Sequence, residues 1–103
     1  MSNTWPLAEM IGYTPITTFW NDFTIAEAFG ENAVRDTFNR AFEEWKGNYK
    51  YLTELVMVLN HKIWQHDGYP IADVYTQLWA KADDYGMYNL EGEELQYFLN
   101  VLD

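Results

Sequence analysis

The residues best equipped for chemistry lie between positions 61 and 70. His61 and His66 are the two histidines of the chain, and Asp67 follows the second. Together they are the first place to look for a metal ion or a general base. Helical side chains that share a ligand stand three or four positions apart, whereas these two histidines stand five apart. A helix end can still bring His66 and Asp67 together, but two or three ligands without a fourth make a weak zinc site. A histidine near a helix C-terminus is also favoured by the dipole alone. Both histidines therefore read as surface or capping groups, and no metal or cofactor is expected.

Other arrangements fail on spacing. The run His66-Asp67-Gly68-Tyr69-Pro70 spells the letters of the HD-GYP phosphodiesterase signature. Those enzymes keep the two parts far apart and add further histidines and aspartates, so the match is a coincidence. Asp83 to Glu94 has the length and acidity of a calcium loop, but its third, fifth and sixth places hold Tyr85, Met87 and Tyr88. An EF-hand needs oxygen ligands at the first two of these and glycine at the last. Glu43-Glu44 and Glu93-Glu94 are adjacent pairs, which point about 100° apart on a helix and converge on no common atom. Ser2 is the sole serine, cysteine is absent and the glycines are scattered. This leaves no thiolate, no disulfide framework and no phosphate-binding loop.

With 103 residues the chain has room for one domain. Sixteen carboxylates against six basic residues give a net charge of −10, which repels nucleic acid and anionic lipid. Residues 67–103 hold eight of the acids against Lys81 alone. The basic residues Arg35, Arg40, Lys46 and Lys50 are interleaved with Asp36, Glu43 and Glu44, a mixed solvated face and no nucleic-acid patch. Aromatic residues make up 18% of the chain. That exceeds what a core of this size easily hides, and places some Trp and Tyr at the surface, where amphipathic rings favour interfaces. The start, MSNTWPLAEM, lacks the basic region and apolar run of a signal peptide. The apolar stretch Leu52 to Leu59 is far short of the roughly 20 residues that span a bilayer. A cytoplasmic location is expected.

The elements that must position these residues read as helices throughout. Residues 1–17, punctuated by Pro6, Gly12 and Pro15, form an arm that packs its Trp5, Leu7, Met10, Ile11 and Ile16 on a single helical domain, 18–103. The first helix spans about Thr18 to Phe29, capped by Thr17 or Thr18 and stopped by Gly30. A rival reading breaks it at Thr24, which stands at capping-box spacing from Glu27. The second, about Glu31 to Lys46, places Val34, Phe38, Ala41, Phe42 and Trp45 on one stripe. The third, about Tyr49 to Gln65, carries Leu52, Leu55, Val56, Leu59 and Ile63, widened by Tyr51, Val58 and Trp64, which makes it central. The fourth runs from Pro70 to about Asp84 and is broken by Gly86. Asn89 caps a last helix ending near Leu102, with Gly92 early in it and Leu95, Phe98, Leu99 and Leu102 facing inward. The connections are short, which predicts an all-α, compact bundle of four to five short antiparallel helices with an irregular N-terminal arm.

The stretch FWNDFTIAEAFGENAVRDTFNRAFEEWKGNYKYLTELVMVLNHKIW, Phe19 to Trp64, resembles a group of short uncharacterised proteins from gut bacteria and their phage or conjugative elements. NYKYLTELVMVLNHKIW is the most specific part, and the likeness continues more weakly through the LWAKAD run near Leu78. The resemblance implies accessory genes of mobile DNA as the setting and supplies no ligand or reaction.

The expected function is a protein-interaction module without catalytic activity. Trp20, Trp64, Tyr69, Tyr85 and Tyr88, at stripe edges or in loops, are its candidate contacts. The acids Asp83, Asp84, Glu91, Glu93 and Glu94 form an acidic surface toward a protein partner or a second copy. The alternative is a DNA-mimicking inhibitor of a host nucleic-acid-binding enzyme, which requires carboxylates spaced like phosphates along one exposed surface. An enzyme built on His61 or His66 ranks third and requires a concave pocket with a perturbed titratable group.

Overall fold

The computed structural model describes residues 15–102, with side chains at 19–100; the predicted arm lies almost wholly outside them. Five helices follow in order: α1 Pro15–Glu27, α2 Glu31–Trp45, α3 Tyr49–Gln65, α4 Pro70–Asn89 and α5 Glu93–Leu102. The described residues contain no strand, so the fold is an all-α bundle. No helix among them is long and apolar enough to cross a membrane.

The helix boundaries follow local chemistry, with several departures from expectation. Helix α1 begins at Pro15, earlier than Thr18, because proline's fixed φ suits a first helical turn. It also continues through Thr24, whose hydroxyl donates to the Trp20 carbonyl one turn back at 2.8 Å. The capping-box reading of Thr24 and Glu27 is thereby overturned. Helix α3 starts where expected, with the Asn48 side chain accepting from the Lys50 amide at 3.2 Å. Helix α4 passes straight through Gly86 and ends at Asn89, whose amide donates to the Tyr85 carbonyl. Asn89 therefore closes α4 and does not cap α5. Gly92 stands just before α5 in the left-handed region, at φ 55°, so it incurs no penalty inside the helix.

Helix α3 packs against all four other helices and forms the centre of the bundle. Leu52, Leu55, Val56, Val58 and Leu59 are all buried. They meet the α2 stripe of Val34, Phe38, Ala41, Phe42 and Trp45, which is buried as predicted. Phe19 and Phe23 from α1 and Val74, Tyr75, Leu78 and Ala82 from α4 complete the core. Trp64 does not widen the α3 stripe: it is 78% exposed.

Gly86 is buried because α5 packs directly onto it. A Cβ built there would lie 2.5 to 2.9 Å from three ring atoms of Phe98, which is itself fully buried. The residue that reads as a helix breaker is thus the contact that seats α5. Gly86→Ala gains about 1 kcal/mol of helix propensity but overpacks the Phe98 ring, a change costing about 1–3 kcal/mol. Denaturant unfolding is expected to show net destabilisation, and a net gain would refute the packing role of the glycine.

Candidate functional site

Four helical positions turn titratable or polar groups into the space where α1, α3 and α4 meet. Lys62 lies on the same face of α3 as Leu55 and Leu59, and its side chain is 0% exposed. A lysine is almost never fully buried unless paired, and this one has a neighbour for each of its three donors. Its Nζ donates to Thr24 Oγ1 at 2.7 Å and lies 3.2 Å from Glu27 Oε2. It also sits 3.9 Å from the centre of the Trp20 ring, within cation–π range.

Glu27 is the hub. Its Oε2 atom accepts from Tyr75 Oη at 2.5 Å and from Lys62 Nζ, and it contacts His66 Nε2 at 3.0 Å. Tyr75 comes from α4 and is fully buried, with its ring edge-on to Phe23 at 5.6 Å. The His66 ring stacks on Tyr75 at 5.9 Å. Lys62 faces Trp20, Thr24 and Glu27, and the next turn, His66, faces Glu27. The contacts thus advance in the same sense along α1 and α3.

Burial alone would push the Glu27 carboxyl up. The bonds from Tyr75, Lys62 and His66, with the Lys62 charge, outweigh it and hold Glu27 below the ordinary carboxylate range. Burial first, then the bond to Glu27 and its charge, push the Tyr75 phenol far above its usual range. Burial raises Asp22, with the nearby Arg40 charge opposing it, and burial raises Glu54 and Asp83 as well.

This arrangement keeps its charges largely enclosed. The lysine and the tyrosine are closed off from water, and the carboxylate is committed to three neighbours. His66 does cap α3 as expected, its amide bonding to the Lys62 and Trp64 carbonyls; its ring contact with Glu27 was not foreseen. His61, near the same helix end, is exposed. Among the described residues no three His, Cys, Asp or Glu side chains converge in a way that could hold a metal ion.

The candidate contact residues divide. Trp64, Tyr69 and Tyr88 are 78%, 68% and 85% exposed. Trp20 is half-buried beneath Lys62, and Tyr85 is half-buried with its ring edge-on to Phe42 at 5.2 Å; both serve packing. Trp64 and Tyr69 flank the α3–α4 turn and line two depressions that share Ile63 and Asp67. Sequence reasoning missed Ile25 and Phe29, which are also exposed and line a depression between α1 and α2. Of the acids, Asp84, Glu91, Glu93 and Glu94 are exposed and Asp83 is half-buried. Asp67 and Asp73 belong to the turn at the opposite end of α4.

Comparisons with protein-family models, curated proteins and solved structures returned no match.

The buried pair makes a thermodynamic prediction with a definite sign. Glu27 is depressed on folding, so its contribution is present above its ordinary value of 4.5 and is lost as pH falls through its lower folded value. Asp22, Glu54 and Asp83 are raised and shift stability in the opposite sense, so the comparison must be with a variant lacking Glu27. Glu27→Gln is expected to lose about 3 kcal/mol near neutral pH, the low end of the range for breaking a buried pair, because Glu27 keeps some water contact. Its stability should then fall less than that of the natural chain between about pH 6 and about pH 3. Adding Lys62→Met to Glu27→Gln should restore part of the loss; strictly additive losses would contradict the coupling.

Proposed function

We propose that this protein is a small acidic helical protein-interaction module without catalytic activity, acting in the bacterial cytoplasm as an accessory protein of a mobile element. The observation that carries the reading is the exposure of Trp64 and Tyr69 about one turn, each lining one of two depressions that share Ile63 and Asp67. Large aromatic rings are costly to leave in water and are the residues most enriched at interface centres. The commitment of Lys62, Glu27, His66 and Tyr75 to one another supports a non-catalytic role, because the groups best suited to acid–base work are occupied in holding helices together. The mobile-element setting rests on the resemblance of Phe19 to Trp64 alone.

The DNA-mimicking alternative requires one continuous row of carboxylates. Asp67 precedes α4 and Asp73 stands in its first turn, whereas Asp83 and Asp84 lie toward its end and Glu91, Glu93 and Glu94 beyond it. Asp73 and Asp83 are separated by about 15 Å of helix, and Asp83 is half-buried. That gap in the row supports the interaction module.

The test is affinity capture from a gut-bacterial lysate, run at low and high salt with the natural chain and with the Trp64→Ala, Tyr69→Ala double variant. Sedimentation of both proteins alone is measured alongside. A discrete partner, or a dimer, retained at high salt by the natural chain and lost by the variant with its helicity intact is the expected result. Equal behaviour of the two proteins would overturn the proposal.

A further inference from the structure

The surface around the α3–α4 turn has a chemical character beyond its exposed rings. Its two depressions are lined by Ile63, Trp64, Tyr69 and Pro70 together with Asp67 and Asp73, and by no lysine or arginine. The basic side chains nearest in sequence face elsewhere: Lys62 is enclosed against Glu27 and Thr24, and the His66 ring contacts Glu27. Asp67 and Asp73 form no ion pair within the described residues. Asp73 stands in the first turn of α4, where the helix N-terminus favours an acid, whereas Asp67 follows the negative C-terminus of α3.

We infer that this surface docks an arginine-bearing segment of a partner protein, with the guanidinium stacked on the Trp64 or Tyr69 ring and paired to Asp67 or Asp73. Charge complementarity selects a cationic partner, and the flanking indole and phenol select arginine over lysine. A planar guanidinium both stacks on an aromatic face and pairs bidentately with a carboxylate, whereas an ammonium is a compact, strongly hydrated point charge. The inference rests on the interaction reading and specifies the partner of the same surface. The acids Glu91, Glu93 and Glu94 stand near exposed tyrosines, Tyr88 and Tyr97, and therefore serve as the control surface.

The experiment is amide and indole chemical-shift mapping on the full chain, with a short blocked glycine–arginine peptide as probe and a matched glycine–lysine peptide as control. Saturable shifts confined to residues 63–76 and the Trp64 indole are expected, with the arginine peptide binding more tightly. Trp64→Ala should weaken it about fivefold, and Asp67→Asn with Asp73→Asn should weaken it further, while Glu93→Gln with Glu94→Gln should leave it unchanged. Shifts spread over every acidic surface, or equal binding of the two peptides without dependence on Trp64, would overturn the inference as general charge attraction. If the arginine peptide fails to bind while Trp64→Ala, Tyr69→Ala still abolishes partner capture, this inference falls and the interaction module stands. If neither depends on Trp64, both fall.

Discussion

A lysine ammonium enclosed in the interior of a small bundle sets the terms for the rest of the molecule. Lys62 has no contact with water, and a buried charge left alone would cost several kcal/mol. Three helices must therefore keep their relative positions to surround it: α1 supplies Trp20, Thr24 and Glu27, α3 supplies the lysine, and α4 supplies Tyr75, which fixes the carboxylate. Apolar packing alone tolerates a range of helix registers. Donors and acceptors at 2.5 to 3.2 Å do not, so the polar cluster specifies one arrangement within a core that is otherwise aromatic and aliphatic.

The same cluster lies apart from the surface proposed as an interface. Groups that elsewhere serve as acids, bases or nucleophiles are here turned inward at the α1–α3–α4 junction. Beside it, at the end of α3 and in the turn that follows, the chain presents Trp64, Asp67 and Tyr69 to solvent. His66 stands at the boundary: its backbone caps α3 and its ring leans on Tyr75 and Glu27. The rigid interior thereby holds the exposed turn in place, which is the requirement of a binding surface that must keep its shape before its partner arrives.

Most of the helical architecture is legible in the sequence because its apolar stripes are clean. Val34 to Trp45 repeats at three and four positions, as does Leu52 to Leu59, and both faces are buried as that spacing demands. Gly86 is misleading because local propensity marks it as a helix end, while tertiary packing against Phe98 uses its missing Cβ inside α4; Asn89 suits the start of a helix as well as the end, and here it ends α4. The polar cluster had a signal that composition hid. Glu27 continues the face of Phe19 and Phe23, and Lys62 continues that of Leu55 and Leu59, so opposite charges fall on two buried stripes. Which helices would bring those stripes together depends on contacts between residues nearly forty positions apart, and no local pattern encodes that. Of the aromatic contact candidates, Trp64, Tyr69 and Tyr88 are exposed, whereas Trp20 and Tyr85 are half-buried because each finds a tertiary partner in Lys62 or Phe42.

The enclosure of Lys62 is tested most directly by the rate at which each lysine of the folded chain reacts with a small acylating reagent near neutral pH, read by peptide mass spectrometry. Lys50 and Lys81 are exposed and Lys46 is partly so, whereas Lys62 is sealed. Lys46, Lys50 and Lys81 should be modified promptly, and Lys62 only at the rate at which the whole bundle opens, with protection lost in the Glu27→Gln variant. Modification of Lys62 as fast as its neighbours would mean that the charge is open to solvent, and the account of the bundle as built around an enclosed ion pair would be wrong.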